Sequence, residues 1–163
     1  MNAQQTIERW RRDPLLLAYS NGWKVVFAMT ENGTIPALDY MEGVDIESDP
    51  QWPFAGQMKR LVSYVEQVRA NGPFSLGKNQ LTVFKGDDAS DNMCELRLIA
   101  HLGHRIMGFL RLKTLVLTNG FHKETSGTPH EQKSRAREVL RSHEIRLAKL
   151  QGGSPPTPRK KGR

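Results

Sequence analysis

The stretch that decides the fold runs from Met93 to Pro129 and reads MCELRLIAHLGHRIMGFLRLKTLVLTNGFHKETSGTP. It contains three apolar runs of ordinary strand length, and the joints between them are too short to hold a helix. We therefore predict three consecutive strands, at Met93–Ala100, His104–Arg111 and Lys113–Phe121. Leu102-Gly103 is a hairpin candidate for the first joint and Arg111-Leu112-Lys113 for the second. The pattern predicts an antiparallel meander.

Basic side chains stand among the apolar ones of this meander. Because successive side chains of a strand point to opposite faces, Arg105, Phe109 and Arg111 share one face of the second strand. The third strand is apolar on both faces as far as Leu117, which suits a central position in a sheet. We expect the exposed face of the meander to collect four basic side chains, which are Arg97, Arg105, His122 and Lys123.

The net charge of +7 is unevenly distributed along the chain. Residues 1–92 hold 9 Lys and Arg against 12 Asp and Glu, whereas residues 93–163 hold 15 against 5. The strongly basic second half of the chain favours a polyanionic partner, and nucleic acid fits better than an acidic protein surface. The competing interpretation is a solvated basic helix and tail without a partner.

Composition also bears on the compartment. The single cysteine, Cys94, has no internal partner for a disulfide, which fits a reducing environment. No apolar run approaches the roughly 20 residues of a membrane-spanning helix, and the N-terminus lacks the apolar core of a secretory signal. We expect a soluble, cytoplasmic protein that does not contact the membrane.

The first half of the chain supplies helices and two further strands. The predicted elements are a weak helix within residues 2–20 broken at Asp13-Pro14, a strand at Trp23–Met29, a helix or extended segment at Ile35–Met41, a loop at Asp45–Pro53, a helix at Gly56–Asn71 and a strand at Leu81–Phe84. The apolar stripe of the Gly56–Asn71 helix favours a core position. In the loop that follows, Asp87, Asp88 and Asp91 lack the spacing of a calcium site, so we interpret them as solvated turn residues.

The C-terminal region is predicted to be a basic helix followed by a tail. Thr128-Pro129 begins the helix, which extends to about Leu150 with a stripe formed by Ala136, Leu140, His143, Leu147 and Leu150. Residues 151–163 are rich in proline, glycine and basic residues and are predicted to be disordered. The domain organisation we expect is a partly helical extension at 1–22, one domain at 23–150 and the tail.

The meander and its flanks resemble the RelE/ParE superfamily of type II toxin–antitoxin toxins, and most closely its HigB-like, phage-derived branch. The matching pieces are Glu95-Leu96-Arg97, His104-Arg105, Leu115–Leu117, Gly120-Phe121-His122-Lys123, Thr125 and Thr128-Pro129. They occur in the order and spacing of the family, and the resemblance covers about residues 23–145. It implies an α+β, RelE/ParE-like fold in which N-terminal helices pack on one side of a small, mainly antiparallel twisted sheet, closed by the basic C-terminal helix.

Two positions depart from the family pattern. Glu124 stands where the family has a second lysine, and His104 replaces the aromatic residue of a Tyr-Arg pair. Some relatives also use a tyrosine in the C-terminal segment, but this chain has none after Tyr64, and His143 is the nearest substitute. These departures predict altered or degraded activity relative to the family.

The resemblance implies a toxin that cleaves mRNA on the ribosome without metal, through attack of the ribose 2′-OH on the adjacent phosphate. That chemistry needs positive charge at the phosphorane and groups that move protons. The predicted catalytic residues are Arg97, Arg105, His122, Lys123 and His104, and the predicted RNA-binding residues are Arg111, Lys113, Arg135, Arg137 and Arg141. No clustered His, Cys or Asp spacing predicts a metal site, and no cofactor is expected.

Other interpretations stay open for the same residues. Arg97 could simply pair with Glu95, which is more plausible as an orienting group than as a base, and the histidines and Lys123 could be ordinary surface side chains. The whole chain could be a ParE-like inhibitor of DNA gyrase, or a non-catalytic RNA- or ribosome-binding protein descended from a toxin. For a toxin, the resemblance implies a cognate antitoxin, commonly a helix-turn-helix DNA-binding protein, besides the ribosome and mRNA.

Overall fold

The centre of the fold is a mixed sheet. A computed structural model of the chain describes residues 3–20, 22–47, 57–86, 91–98, 103–124 and 127–152. Its strands are β1 (Leu15–Leu16), β2 (Lys24–Phe27), β3 (Leu81–Val83), β4 (Met93–Arg97), β5 (Gly103–Arg111) and β6 (Thr114–Lys123), and its helices are α1 (Ala3–Arg12), α2 (Pro36–Glu47), α3 (Gln57–Asn71) and α4 (His130–Leu150). In the described part of the chain these four helices and six strands confirm an α+β fold.

The strand order is β1-β2-β6-β5-β4-β3. β2 runs parallel to β6, and the other pairings are antiparallel. The predicted meander is therefore confirmed as β4-β5-β6, and β6 is central, as its apolar residues on both faces indicated. The turn between β5 and β6 is tight, and Lys113 within it has a φ of 53°.

The two faces of the sheet are covered by different helices. One core joins α1, α2 and α3 to the sheet and includes Trp10, which stacks on Phe27 with ring centroids 4.9 Å apart. The other core joins α4 to the opposite face through residues such as Met93, Phe109 and Phe121. Since α1 and β1 contribute to the first core and to the sheet, residues 3–16 pack with the remainder of the fold. The predicted boundary at residues 22 and 23 stays a prediction.

Several local predictions need correction. α2 extends to Glu47, so the predicted loop at Asp45–Pro53 begins later than expected, and its residues 48–53 lie outside the described chain. The stripe of α4 is buried only through His143, whereas Leu147 and Leu150 are exposed because the last turns extend past the second core. Leu102 of the predicted first joint, His101, Asp87, Asp88, Thr125 and the predicted tail after Gly152 also lie outside the described residues, whereas Gly103 of that joint begins β5. No described helix is both long and apolar enough to cross a bilayer.

Candidate functional site

A buried carboxylate gathers basic side chains at one end of the meander. Glu95 on β4 is 1 % exposed, and its Oε1 lies 3.2 Å from Arg105 Nε, 3.8 Å from Lys123 Nζ and 3.9 Å from Arg97 Nε. The hydroxyl of Thr128, just before α4, donates a hydrogen bond to the other oxygen, Oε2. We call these five residues the Glu95 cluster.

The register of the strands brings the cluster together. Arg97 is opposite Arg105 in the β4–β5 pair, and Gly103 is opposite Lys123 in the β5–β6 pair. A β-bulge lies between two pairs of the β5–β6 ladder, Ile106–Gly120 and Gly108–Leu117. It shifts the alternation of β6 by one residue, so that Lys123 joins the face of Arg105.

The cluster carries more positive than negative charge. Burial lowers the pKa of Arg105, and the charge of Glu95 works in the opposite direction. Arg105 is fully buried and Lys123 nearly so, whereas the side chain of Arg97 is 27 % exposed. One carboxylate therefore faces three basic groups, and the excess positive charge reaches solvent mainly at Arg97. Such an arrangement suits contact with an anion at the open side of the cluster.

The two predicted catalytic histidines form a separate group. His104 and His122 are partners across the β5–β6 pair, and their rings meet edge to face with centroids 4.9 Å apart. Tyr40 of α2 places its hydroxyl 2.5 Å from His104 Nδ1. His122 is exposed, and its Nδ1 is 3.9 Å from Glu124. We call Tyr40, His104 and His122 the histidine group.

The prediction of one exposed basic face is therefore wrong in part. Arg97, Arg105 and Lys123 do converge, but Arg105 and Lys123 are buried around Glu95. His122 points away from Lys123 because neighbouring side chains in a strand alternate. The cluster and the histidine group nevertheless flank the same end of β5 and β6, since His104–His122 and Gly103–Lys123 are adjacent pairs.

The predicted RNA-binding residues fall into two sets. Lys113, Arg135 and Arg141 are exposed. Arg111 donates to the backbone oxygen of Asp91 at 2.6 Å and lies 3.8 Å from Glu144, and Arg137 Nε bonds Asp91 Oδ2 at 2.8 Å. The interpretation of Asp91 as a solvated turn residue is wrong, because its carboxylate is paired with Arg137.

Sequence reasoning missed Tyr40 and Thr128 as members of the site. Tyr40 is distant in sequence and lies in a segment that was predicted only as helix or extended chain, so no local pattern connects it to His104. Glu95 was correctly expected to orient an arginine. His143, the nearest substitute for a C-terminal tyrosine, lies elsewhere: it is buried, and the Met29 N–H donates to its Nδ1 at 3.1 Å.

Comparison with protein families identifies the class of this chain. Residues 54–141, more than half of the sequence, match the family described as Phage derived protein Gp49-like (DUF891), and the chain belongs to this family. It is a toxin–antitoxin-related family of the RelE/HigB-like kind, and membership implies a cognate antitoxin as partner. A search of curated proteins found no match. In the described part of the chain no group of three or more His, Cys, Asp or Glu side chains could hold a metal ion.

Proposed function

We propose that this protein is the toxin of a type II toxin–antitoxin system and that it cleaves mRNA on the ribosome. The observation that carries the proposal is the convergence of Arg97, Arg105 and Lys123 on Glu95 beside a histidine pair. Membership in a toxin-related family supports it.

The proposed reaction is transesterification by the ribose 2′-OH. The 2′ oxygen forms a bond to the adjacent phosphorus, the bond to the 5′ oxygen breaks, and the products are a cyclic 2′,3′-phosphate and a 5′-OH. His122, the exposed member of the histidine group, takes the proton from the 2′-OH or delivers one to the leaving 5′ oxygen, and water exchanges the other of these two protons. Arg97, the partly exposed basic residue of the cluster, stabilises the charge that develops on the phosphorane, and the nearly buried Lys123 adds its positive charge from behind.

Arg105 has a supporting role in this proposal. It is fully buried and forms an ion pair with Glu95, so it holds that carboxylate and thereby fixes the positions of Arg97 and Lys123 around it. An RNA strand lying across the end of β5 and β6 would contact Arg97 on one side of the sheet and His122 on the other.

One observation favours a second candidate function. Because Glu95 already pairs with Arg105 and Lys123, both nearly closed to solvent, the cluster could be a structural feature of a non-catalytic RNA- or ribosome-binding protein. In that case the exposed Arg135 and Arg141 of α4 would supply the contacts to RNA.

The test is induction of the protein in growing cells with mapping of 5′ ends in cellular mRNA. We expect growth arrest with new in-frame cuts in translated messages, and a reduction of cutting by about 100-fold in Arg97→Ala and in Lys123→Ala. Lys24→Ala, an exposed lysine on β2, is the matched control and should cut like the native protein.

The alternatives give different results. Growth arrest without mRNA cuts would contradict the nuclease proposal and favour ParE-like inhibition of gyrase or an effect on another target. The absence of growth arrest would favour the non-catalytic binding protein. Arg105→Ala is less informative, because removal of a buried charge also disturbs folding. Melting curves of each variant should accompany the cleavage data.

A further inference from the structure

α2 brings an aromatic residue to the candidate site from a distant part of the chain. Tyr40 lies against β6 at Gly120: a Cβ atom added to Gly120 would lie only 2.0 Å from Tyr40 Cδ1. The absence of a side chain at Gly120 is therefore what allows the phenol ring to lie against the strand. Packing against Gly120 therefore helps to position this ring, in addition to any contact of its hydroxyl group.

The hydroxyl of Tyr40 makes a specific contact. It lies 2.5 Å from His104 Nδ1, and the two rings are 5.7 Å apart between centroids. A phenol that donates to Nδ1 leaves the single proton of a neutral imidazole on Nε2. His104 in turn touches His122, whose side chain is 51 % exposed. A half-buried tyrosine, a half-buried histidine and an exposed histidine thus form a continuous row from α2 to the surface.

We propose that Tyr40 is a positioning residue that fixes the tautomer of His104 and, through the ring contact, the orientation of His122. This inference rests on the proposed nuclease function, in which His122 exchanges a proton with RNA. It adds a residue that the sequence did not indicate. Tyr40 itself does not touch the substrate in this arrangement, since His104 stands between it and His122.

Neighbouring charges act on the same row. Glu124 lies 3.9 Å from His122 Nδ1. Arg105 follows His104 on β5, donates to its backbone oxygen at 3.1 Å and interacts electrostatically with Tyr40. A change at Tyr40 is therefore expected to alter proton exchange at both histidines.

The test is Tyr40→Phe, which keeps the ring against Gly120 and removes only the hydroxyl. Nitrogen-15 NMR of the imidazoles in the purified full-length chain reports which ring nitrogen carries the proton. We expect the native His104 to be protonated at Nε2, and Tyr40→Phe to redistribute the proton between Nδ1 and Nε2. The cleavage rate on programmed ribosomes should fall about tenfold at unchanged KM, since one hydrogen bond is lost, and the pH profile of the rate should shift.

Tyr19→Phe is the matched control. It also removes a tyrosine hydroxyl, one that bonds Glu66 Oε2 at 2.6 Å, outside the candidate site. Its imidazole spectra and pH profile should equal those of the native protein. Identical spectra and pH profiles for the native chain and Tyr40→Phe would overturn the inference. Failure of the native chain to cut RNA would instead refute the proposed function, and the imidazole spectra would still decide whether Tyr40 fixes the tautomer.

Discussion

Arg105 Nε lies 3.2 Å from Glu95 Oε1, and both side chains are almost completely closed to solvent. Charges removed from water in this way depend on each other, because each would otherwise remain buried without compensation. The pair is therefore a structural requirement of the end of the meander, whatever chemistry takes place beside it.

The first prediction concerns this pair. Glu95→Gln keeps the shape of the side chain but removes the charge that faces Arg105, Lys123 and Arg97, so we expect the free energy of unfolding to fall by about 3 kcal/mol. Urea denaturation measures it. Asp39→Asn is the control, since Asp39 pairs with Arg11 at 2.7 Å but is half-exposed, and its cost should stay below about 1 kcal/mol. Equal losses of unfolding free energy in the two variants would contradict the structural role of the buried Arg105–Glu95 pair.

The second prediction concerns the space under Tyr40. In Gly120→Ala the new methyl group must displace the Tyr40 ring or the strand, and overpacking of this kind costs about 1–3 kcal/mol. Thermal unfolding followed by circular dichroism measures the loss. Gly43→Ala is a matched control within α2, where an added Cβ meets nothing within 4 Å. It should be neutral or should stabilise the helix by about 0.5–1 kcal/mol. A stable Gly120→Ala variant would show that the ring moves freely.

The sequence predicts those structural features that depend on interactions between residues close together in the chain. The central position of β6 follows from its own apolar residues, and the α4 helix follows from Thr128-Pro129 and its periodicity. The parallel pairing of β2 with β6 could not be predicted, because nothing local in Lys24–Phe27 specifies a distant partner.

The site shows the same limit. Strand alternation correctly put Arg105 on the face of Phe109 but did not reveal its burial, and the bulge opposite Met107 changes which residues of β6 share that face. Val116 and Phe121 both lie in the second core although they are five positions apart, an odd offset that regular alternation would place on opposite faces. For that reason Lys123 meets Glu95 and His122 does not. A bulge leaves little trace in a sequence, so the division into two groups needed the structure.

The third prediction concerns pH and stability. Burial lowers the pKa of His143 below its ordinary value, and the charge of Arg146 acts in the same direction, whereas the backbone hydrogen bond with Met29 partly opposes them. Below about pH 6.5 the imidazole of His143 therefore binds a proton more readily in the unfolded chain than in the folded one. This difference lowers the free energy of unfolding as the pH falls through about 6.5 and has no effect at pH 8. His143→Asn retains an acceptor but does not titrate. The native protein should lose more unfolding free energy than the variant between pH 8 and pH 5, as measured by urea denaturation. Equal losses of unfolding free energy in the native protein and the variant would contradict this role of His143.

The fourth prediction concerns α4. Arg135 and Arg141 are exposed, whereas Arg137 is paired with Asp91. If the exposed pair contacts phosphates, Arg135→Ala and Arg141→Ala should each weaken binding to an RNA oligonucleotide and lower the slope of log affinity against log salt by roughly 0.7–0.9. Stability should be unchanged. Lys24→Ala provides the control at an exposed cation on β2, outside α4. A salt slope equal to the native one would remove α4 from the RNA-binding surface.

The parallel pairing of β2 with β6 has a consequence for the order in which the molecule is assembled. Lys24–Phe27 leaves the ribosome long before Thr114–Leu117, so in the nascent chain β2 has only β1 as a sheet partner. Pairings between distant segments form late, because the long intervening chain must first be closed. Lys123, which completes the pairing with Glu95, follows Phe27 by 96 residues. A nascent chain that does not yet include Lys123 and Thr128 therefore lacks the complete candidate site.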